Sequence, residues 1–442
     1  MTLAAGALLG QPGAVVDLTT TTTSAAIAEA AGATIVAGTL FSSDGLAGSA
    51  TLLGTANAVS VLGNVSAPAG LFAYAGTGTL TATGTVLASA IDIAVGTLVQ
   101  TAGQIVAAGS AQLRGAQAVS IAGTIQAATA FVQAGSGGFS LTATGHLHGR
   151  SVGVSAAGPI ALAAGSSLGR SDGIVDLSTT SGGVSEAAGG TIAASLLRSA
   201  GGIAGGATLL GTANAVAELG QFAVSGGALR LADAAGLLVS GAVSAAAIDI
   251  SAASLAVAAS ATIAAAATFA ASAGSMSFAG AVSAPAGVRL TSAGDVAQTA
   301  GSIASDASFD LDVPGSFLQS GGVIRSAAGT ISIAARGISA GAGIVQGADG
   351  ALLSADTGGG VFLTAANRIS LGGAVSAADA GAGRVALSAD GKGEDAIVVD
   401  QTGGTVAAGF SYAATAARGD IRHAGTVLAD AAGATISPTA GS

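Results

Sequence analysis

The ten residues ATLLGTANAV occupy Ala50–Val59 and recur unchanged at Ala207–Val216, an offset of 157. Nothing in them is catalytic, so their reading concerns architecture. The match extends on both sides. VDLTTTTTSAAIAEAAGATI from Val16 is answered by VDLSTTSGGVSEAAGGTI from Val175, and AIDI at Ala90–Ile93 by AIDI at Ala247–Ile250. A shorter echo follows, where ANRISLGG at Ala366–Gly373 repeats the style of ANAVSVLG at Ala56–Gly63. Self-similarity at a fixed offset is the mark of a repeat architecture.

A unit of about 157 residues is too long to be one supersecondary element, so finer structure must lie inside it. Short runs recur, each closed by glycine: AVSIAG from Ala118, FSLTATG from Phe139, VGVSAAG from Val152, PIALAAG from Pro159. In them apolar residues alternate with small or polar ones, the period-2 pattern of a strand with one buried face. In SFDLDV, from Ser308, Phe309, Leu311 and Val313 point one way and Asp310 and Asp312 the other.

Composition narrows the fold class. Of 442 residues, 72 are Gly, 8% are charged and 3% are aromatic, with no Trp and no Cys. Hydrophobic residues make up 50%, which excludes disorder. The glycines follow no three-residue period, which excludes collagen. A transmembrane β-barrel needs aromatic girdles that two Tyr cannot supply. Helical solenoids are opposed by the density of Val, Ile, Thr and Gly. The expected fold is all-β: a parallel β-helix, or β-solenoid, with about 20 residues per rung and on the order of 22 rungs. Stacked at the strand spacing, these make an elongated rod of about 100 Å. The expected divisions are a lead-in over 1–14, repeat block 1 over 15–174, block 2 over 175–331 and a diverged block 3 over 332–442, all in one continuous solenoid.

Ile250–Gly274 carries no charge and passes a length test for a membrane span. Its register partner, Ile93–Gln117, contains Arg114 and several Gln and Gly, so no membrane insertion is expected. The net charge of −10, with Lys392 the one lysine, argues against nucleic acid. The N-terminal MTLAAGALLG has neither a charged n-region nor a sustained apolar h-region, so no export signal is read in this chain.

Several residues invite a chemical reading. His146 and His148 share one strand face, but a zinc site wants three or four ligands, and solvent-facing rung positions are expected. His423 stands alone. Asp310 and Asp312 are the best carboxylate pair for glycoside hydrolysis, yet an outward strand face is the simpler account. Asp92 and Asp249 recur in AIDI, which favours a shared outward position. Asp390–Asp400, DGKGEDAIVVD, is acidic but lacks calcium-binding spacing. Thr77, Thr79, Thr81, Thr83 and Thr85 line one strand face without a counterpart in the second copy, which argues against ice binding. Arg418-Gly419-Asp420 spells a low-information adhesion motif that also reads as a turn. Within ATLLGTANAV the Leu residues are expected in the core. Asn57, Asn214 and Asn367 are expected in turns, where Asn tolerates the left-handed region. No catalytic residue, metal or cofactor is expected.

The runs VDLSTTSGGVSEAAGGTI, GGATLLGTANAVAELGQF from Gly205, VSAPAG from Val65 and Val282, and QTAGSI at Gln298–Ile303 resemble the repeats of filamentous haemagglutinin-like bacterial exoproteins. The resemblance implies a right-handed parallel β-helix, an extracellular or outer-surface location and an adhesive or biofilm role. It implies a non-enzymatic shaft that meets a host-surface or glycan receptor. The alternatives are a fibre subunit that self-associates end to end and, last, a β-helix polysaccharide enzyme.

Overall fold

The computed structural model describes residues 1–20, 22, 25–339, 342–354, 359–379, 382–392, 397–429 and 435–440. None of these is helical. Their strands pair in parallel at a spacing of about 22 residues and form a β-solenoid of about 19 turns, a parallel β-helix. Two compact units divide it: Met1–Glu218 with Ala223–Gly227, and Leu219–Phe222 with Ala228–Ser442.

The alternation seen in the sequence becomes burial. Phe309, Leu311 and Val313 are buried while Asp310 and Asp312 are exposed. Each turn points its odd-numbered or even-numbered side chains into a narrow core, where a fully buried Leu or Ile contributes about 1.5–3 kcal/mol. Backbone donors and acceptors are met by the turns on either side, which is the condition for burying a strand on all its edges.

In the first unit, three ladders run through successive turns. One joins Ala50, Phe72, Ile91, Ala111, Ala130, Val152, Val175 and Leu197. A second joins Leu98, Val119, Phe139, Ile160, Val184 and Ala207. A third joins Val65, Val86, Ile105, Ile125, Leu147, Leu168 and Ile192. The second unit is built in the same way, with Leu229–Ala232, Gly236–Val239 and Ala242–Ala245 each heading a ladder within it.

The turns are not of equal length. The step from Gly236 to its partner Ser254 is short, whereas that from Ile331 to its partner Val361 is more than half as long again. The duplicated decapeptide exposes a consequence. From Ala50 the first ladder reaches Leu197 in seven turns, but Ala207 lies on the second ladder. An offset of 157 is therefore seven turns plus one face. The decapeptide thus stands on a different face in each copy, and the repeated block is not a whole number of turns. Only half of the expected Leu burial holds. Leu52 and Leu209 are fully buried, while Leu53 and Leu210 point outward at 50% and 38% exposure.

The uncharged stretch Ile250–Gly274 is made of strands, among them Ser254–Val257 and Thr262–Ala265. Among the described residues, no helix is long and apolar enough to cross a membrane.

Candidate functional site

A recurrent use of polar and charged side chains in this fold is to fasten one turn to the next. The decapeptide supplies the first kind. Gly54 and Asn57 bracket a tight turn, the Asn57 N–H donating to the Gly54 carbonyl at 3.1 Å. The Asn57 side chain is fully buried. Its Nδ2 donates to Glu29 Oε2 at 2.8 Å, and its Oδ1 accepts the Ile35 N–H at 2.6 Å. The Gly54 N–H completes the set, donating to the same carboxylate oxygen at 2.7 Å. The second copy repeats each bond: Asn214 Nδ2 to Glu186 Oε2 at 2.8 Å, Ile192 N–H to Asn214 Oδ1 at 2.7 Å, Gly211 N–H to Glu186 Oε2 at 2.8 Å. The expected turn role is thus carried by the side chain, which ties one turn to the preceding one. Gly211 is glycine because a Cβ there would stand 2.6 Å from Glu186 Oε1.

In the third echo Asn367 is again fully buried, and its Nδ2 donates to the Ser339 carbonyl at 2.9 Å. Ser339 stands where spacing from Glu29 to Asn57 and from Glu186 to Asn214 would place a glutamate. Burial raises the Glu186 carboxyl above the usual carboxylate range, against the lowering effect of the bonds from Asn214 and Gly211. Tyr74 joins the first clamp by accepting the Val59 N–H at 3.2 Å, and burial pushes its phenol up to about 12.

A second fastener went unread in the sequence. Gln100, Gln298, Gln319 and Gln401 begin QTAG, QTAG, QSGG and QTGG, and all four are buried to 1% exposure or less. At three of them Nε2 donates to the carbonyl three residues on, at Gly103, Gly322 and Gly404. Their second contact is to the next turn, at Thr124, Ala351 and Thr426. The closing glycine takes a positive φ, 72° at Gly103 and 68° at Gly301, which an L side chain resists. In the second unit these amides stack directly. Gln319 Nε2 donates to Gln298 Oε1 at 2.9 Å, and Gln346 Nε2 to Gln319 Oε1 at 3.0 Å. Leu371 interrupts the column and leaves Gln346 Oε1 buried without a partner. Gln401 resumes it and His423 follows, with Nδ1 3.0 Å from Gln401 Oε1 and Nε2 3.2 Å from the Tyr412 hydroxyl. Because Gln401 Oε1 can only accept, His423 carries its proton on Nδ1 and the tyrosine donates to Nε2. Burial lowers the His423 pKa and raises that of Tyr412.

Charged side chains are fastened similarly. Arg114–Asp92, Arg198–Asp176, Arg336–Asp312 and Arg422–Asp400 each bridge neighbouring turns at 2.6–2.9 Å. The best carboxylate pair is therefore partly committed: Asp312 to Arg336, while Asp310 accepts from Ser308 at 2.9 Å. His146 and His148 are half-buried rather than fully solvent-facing, and His148 Nε2 lies 3.0 Å from Ser167 Oγ. Desolvation first, then His146 and Arg170, lower the His148 pKa. Asp92 and Asp249 both face outward. Arg418, Gly419 and Asp420 form a bend leading into the strand Asp420–His423, with Gly419 at φ 76° and both charged residues exposed. The acidic segment Asp390–Asp400 lies in part, at 393–396, outside the described residues. Among the described residues no three His, Asp or Glu side chains group as a metal site.

Open surface chemistry concentrates on the outward face of the first ladder in the first unit. Phe131 is 39% exposed and sits in a concavity of about 340 Å³ with Ser155, Asp176, Ser178 and Arg198. At Ser155 this meets a groove of about 600 Å³ lined by Arg114, Gln133 and Thr180. Compared with protein-family models, curated proteins and solved structures, the chain matches none.

Proposed function

We propose that the chain is the structural and adhesive shaft of a bacterial exoprotein, secreted or held at the outer cell surface, and is not an enzyme. The filamentous haemagglutinin-like repeat style and the solenoid fold support this reading. One observation carries it: buried amides and carboxylates and the cross-turn ion pairs are used to fasten turn to turn. The Glu186–Asn214 clamp, the Gln298–Gln319–Gln346 column and the cross-turn ion pairs all serve that end. A stack of turns held this way resists extension because each turn depends on its neighbours.

The test is location in the cells that make it. Protease treatment of intact cells, followed by detection with an antibody against the chain, should remove a surface pool. A chain retained wholly in the cytosol and untouched by protease contradicts the proposal.

A further inference from the structure

Gln112, Phe131, Gly153 and Asp176 are Cα partners on four successive turns of the first unit, and the side chains of Gln112, Phe131 and Asp176 face outward. The Phe131 ring lies down over Gly153, where a Cβ would stand 2.9 Å from Phe131 Cδ2. The glycine thus lets the ring present a flat, accessible face along the sheet. The repeat does not dictate this residue. Its counterpart at the 157-residue offset is Val288, which is buried.

Ion pairs bracket the ring on both sides. Arg114 meets Asp92 at 2.6 Å, and Arg198 meets Asp176 at 2.9 Å. All four side chains remain a quarter to a half exposed, so they keep donors and acceptors for a ligand. Each guanidinium is neutralised by its own carboxylate, so the face offers hydrogen bonds without net charge. Gln133 and Ser155 add neutral polar groups where the two concavities meet.

We propose that this face binds a neutral oligosaccharide, with Phe131 as the stacking platform. A pyranose ring has one face of C–H groups that packs on an aromatic ring, and an equator of hydroxyls that needs paired donors and acceptors. Amide, hydroxyl and paired ionic groups around a flat ring supply that combination. An anionic glycan or a nucleic acid would find no uncompensated cation here. A peptide adding as a strand would find no free edge, because these strands are bonded to the turns on both sides. The proposal rests on the adhesive reading above and names the class of receptor it would meet.

The experiment uses the full chain and a panel of unbranched neutral hexose and N-acetylhexosamine oligomers, with sulfated and uronic-acid oligomers beside them. Any neutral oligomer captured is then titrated calorimetrically. Phe131→Ala should weaken binding about tenfold or more, the loss expected for a central aromatic anchor. Phe131→Trp should keep it within about threefold, Ser155→Trp should block it, and Phe362→Ala in the second unit should leave it unchanged. If Phe131→Ala loses its circular-dichroism signature, the Phe131→Trp and Ser155→Trp pair decides. Capture of no neutral oligomer, capture of acidic oligomers alone, or equal affinity in Phe131→Ala and the unmodified chain overturns the proposal. Glycan binding by a chain found only in the cytosol would sink the adhesive reading and leave this site standing. A surface-exposed chain that binds no glycan would do the reverse.

Discussion

Replacing Asn214 by Ala removes the centre of a buried clamp while leaving the backbone turn intact. Asn214 is fully buried and Glu186 is 5% exposed, so solvent cannot substitute for what is lost. The Ile192 N–H loses its acceptor at 2.7 Å, and an orphaned buried amide costs about 1–3 kcal/mol. Glu186 Oε2 keeps the Gly211 N–H and loses the amide donor, and a hydrogen bond to a charged group is worth about 1.5–3 kcal/mol. The two losses share one side chain and do not add fully, so about 3–4 kcal/mol is expected. Hydrogen exchange read by mass spectrometry resolves it locally. At about 1.4 kcal/mol per tenfold, peptides covering Ile192 should exchange about a hundredfold faster or more. Peptides around Ile35, held by the equivalent Asn57, should be unaffected. Thr212→Ala, which removes an exposed hydroxyl contact to the Ala188 carbonyl, is the control and should change little. Unaltered exchange at Ile192 in Asn214→Ala would refute the claim that these asparagines fasten one turn to the next.

The other fasteners give parallel expectations. Gln319→Leu strips donors and acceptors from Gln298, Gln346 and Ala351 at once, and denaturant unfolding should register a loss of about 3 kcal/mol. Gly301→Ala forces a side chain onto a residue at φ 68° and against the Gly280 carbonyl, and should lower stability by about 2 kcal/mol or more in thermal melts. The Glu186 carboxyl titrates above its unfolded value, so the folded state binds the extra proton. That contribution is fully present below the unfolded pKa and is lost as pH rises through the folded one. Glu186→Gln should therefore flatten the stability profile across that interval and be no less stable at pH 7, with unchanged pH dependence as the contrary result.

The solenoid was legible in short runs closed by glycine, and SFDLDV gave the burial of Phe309, Leu311 and Val313 correctly. Rung length was harder to read. Steps as short as Gly236 to Ser254 and as long as Ile331 to Val361 follow the corners, so no sharp period appears in the sequence. For the same reason the 157-residue offset concealed its extra face, since a repeat in sequence need not be a whole number of turns. Burial of polar side chains lies outside what alternation reports. Gln298 continues the inward row of Val296, where a polar residue reads as a break in the pattern. The signal was present all the same: QTAG, QTAG, QSGG and QTGG share a spacing from amide to glycine. Likewise Glu29 to Asn57 and Glu186 to Asn214 keep one spacing in both copies of the clamp. Phe131 was hidden differently. One exposed aromatic on a strand is ordinary, and only the pairing with Gly153 shows the ring laid flat.

Cysteine cross-linking measures turn-to-turn register directly, because the chain contains no Cys of its own. Ser185 and Thr208 are parallel Cα partners, and neighbouring strands lie about 4.8 Å apart, within the reach of a disulfide. Had the duplication kept its face, Thr208 would follow Thr51 onto the row of Asp92, Asp176 and Arg198. The pair Ser185→Cys with Thr208→Cys should close rapidly within one chain under mild oxidation, while Asp176→Cys with Thr208→Cys, the pair that a face-preserving duplication would bring together, should stay reduced. The opposite result would contradict both the parallel stacking and the seven-turns-plus-one-face duplication.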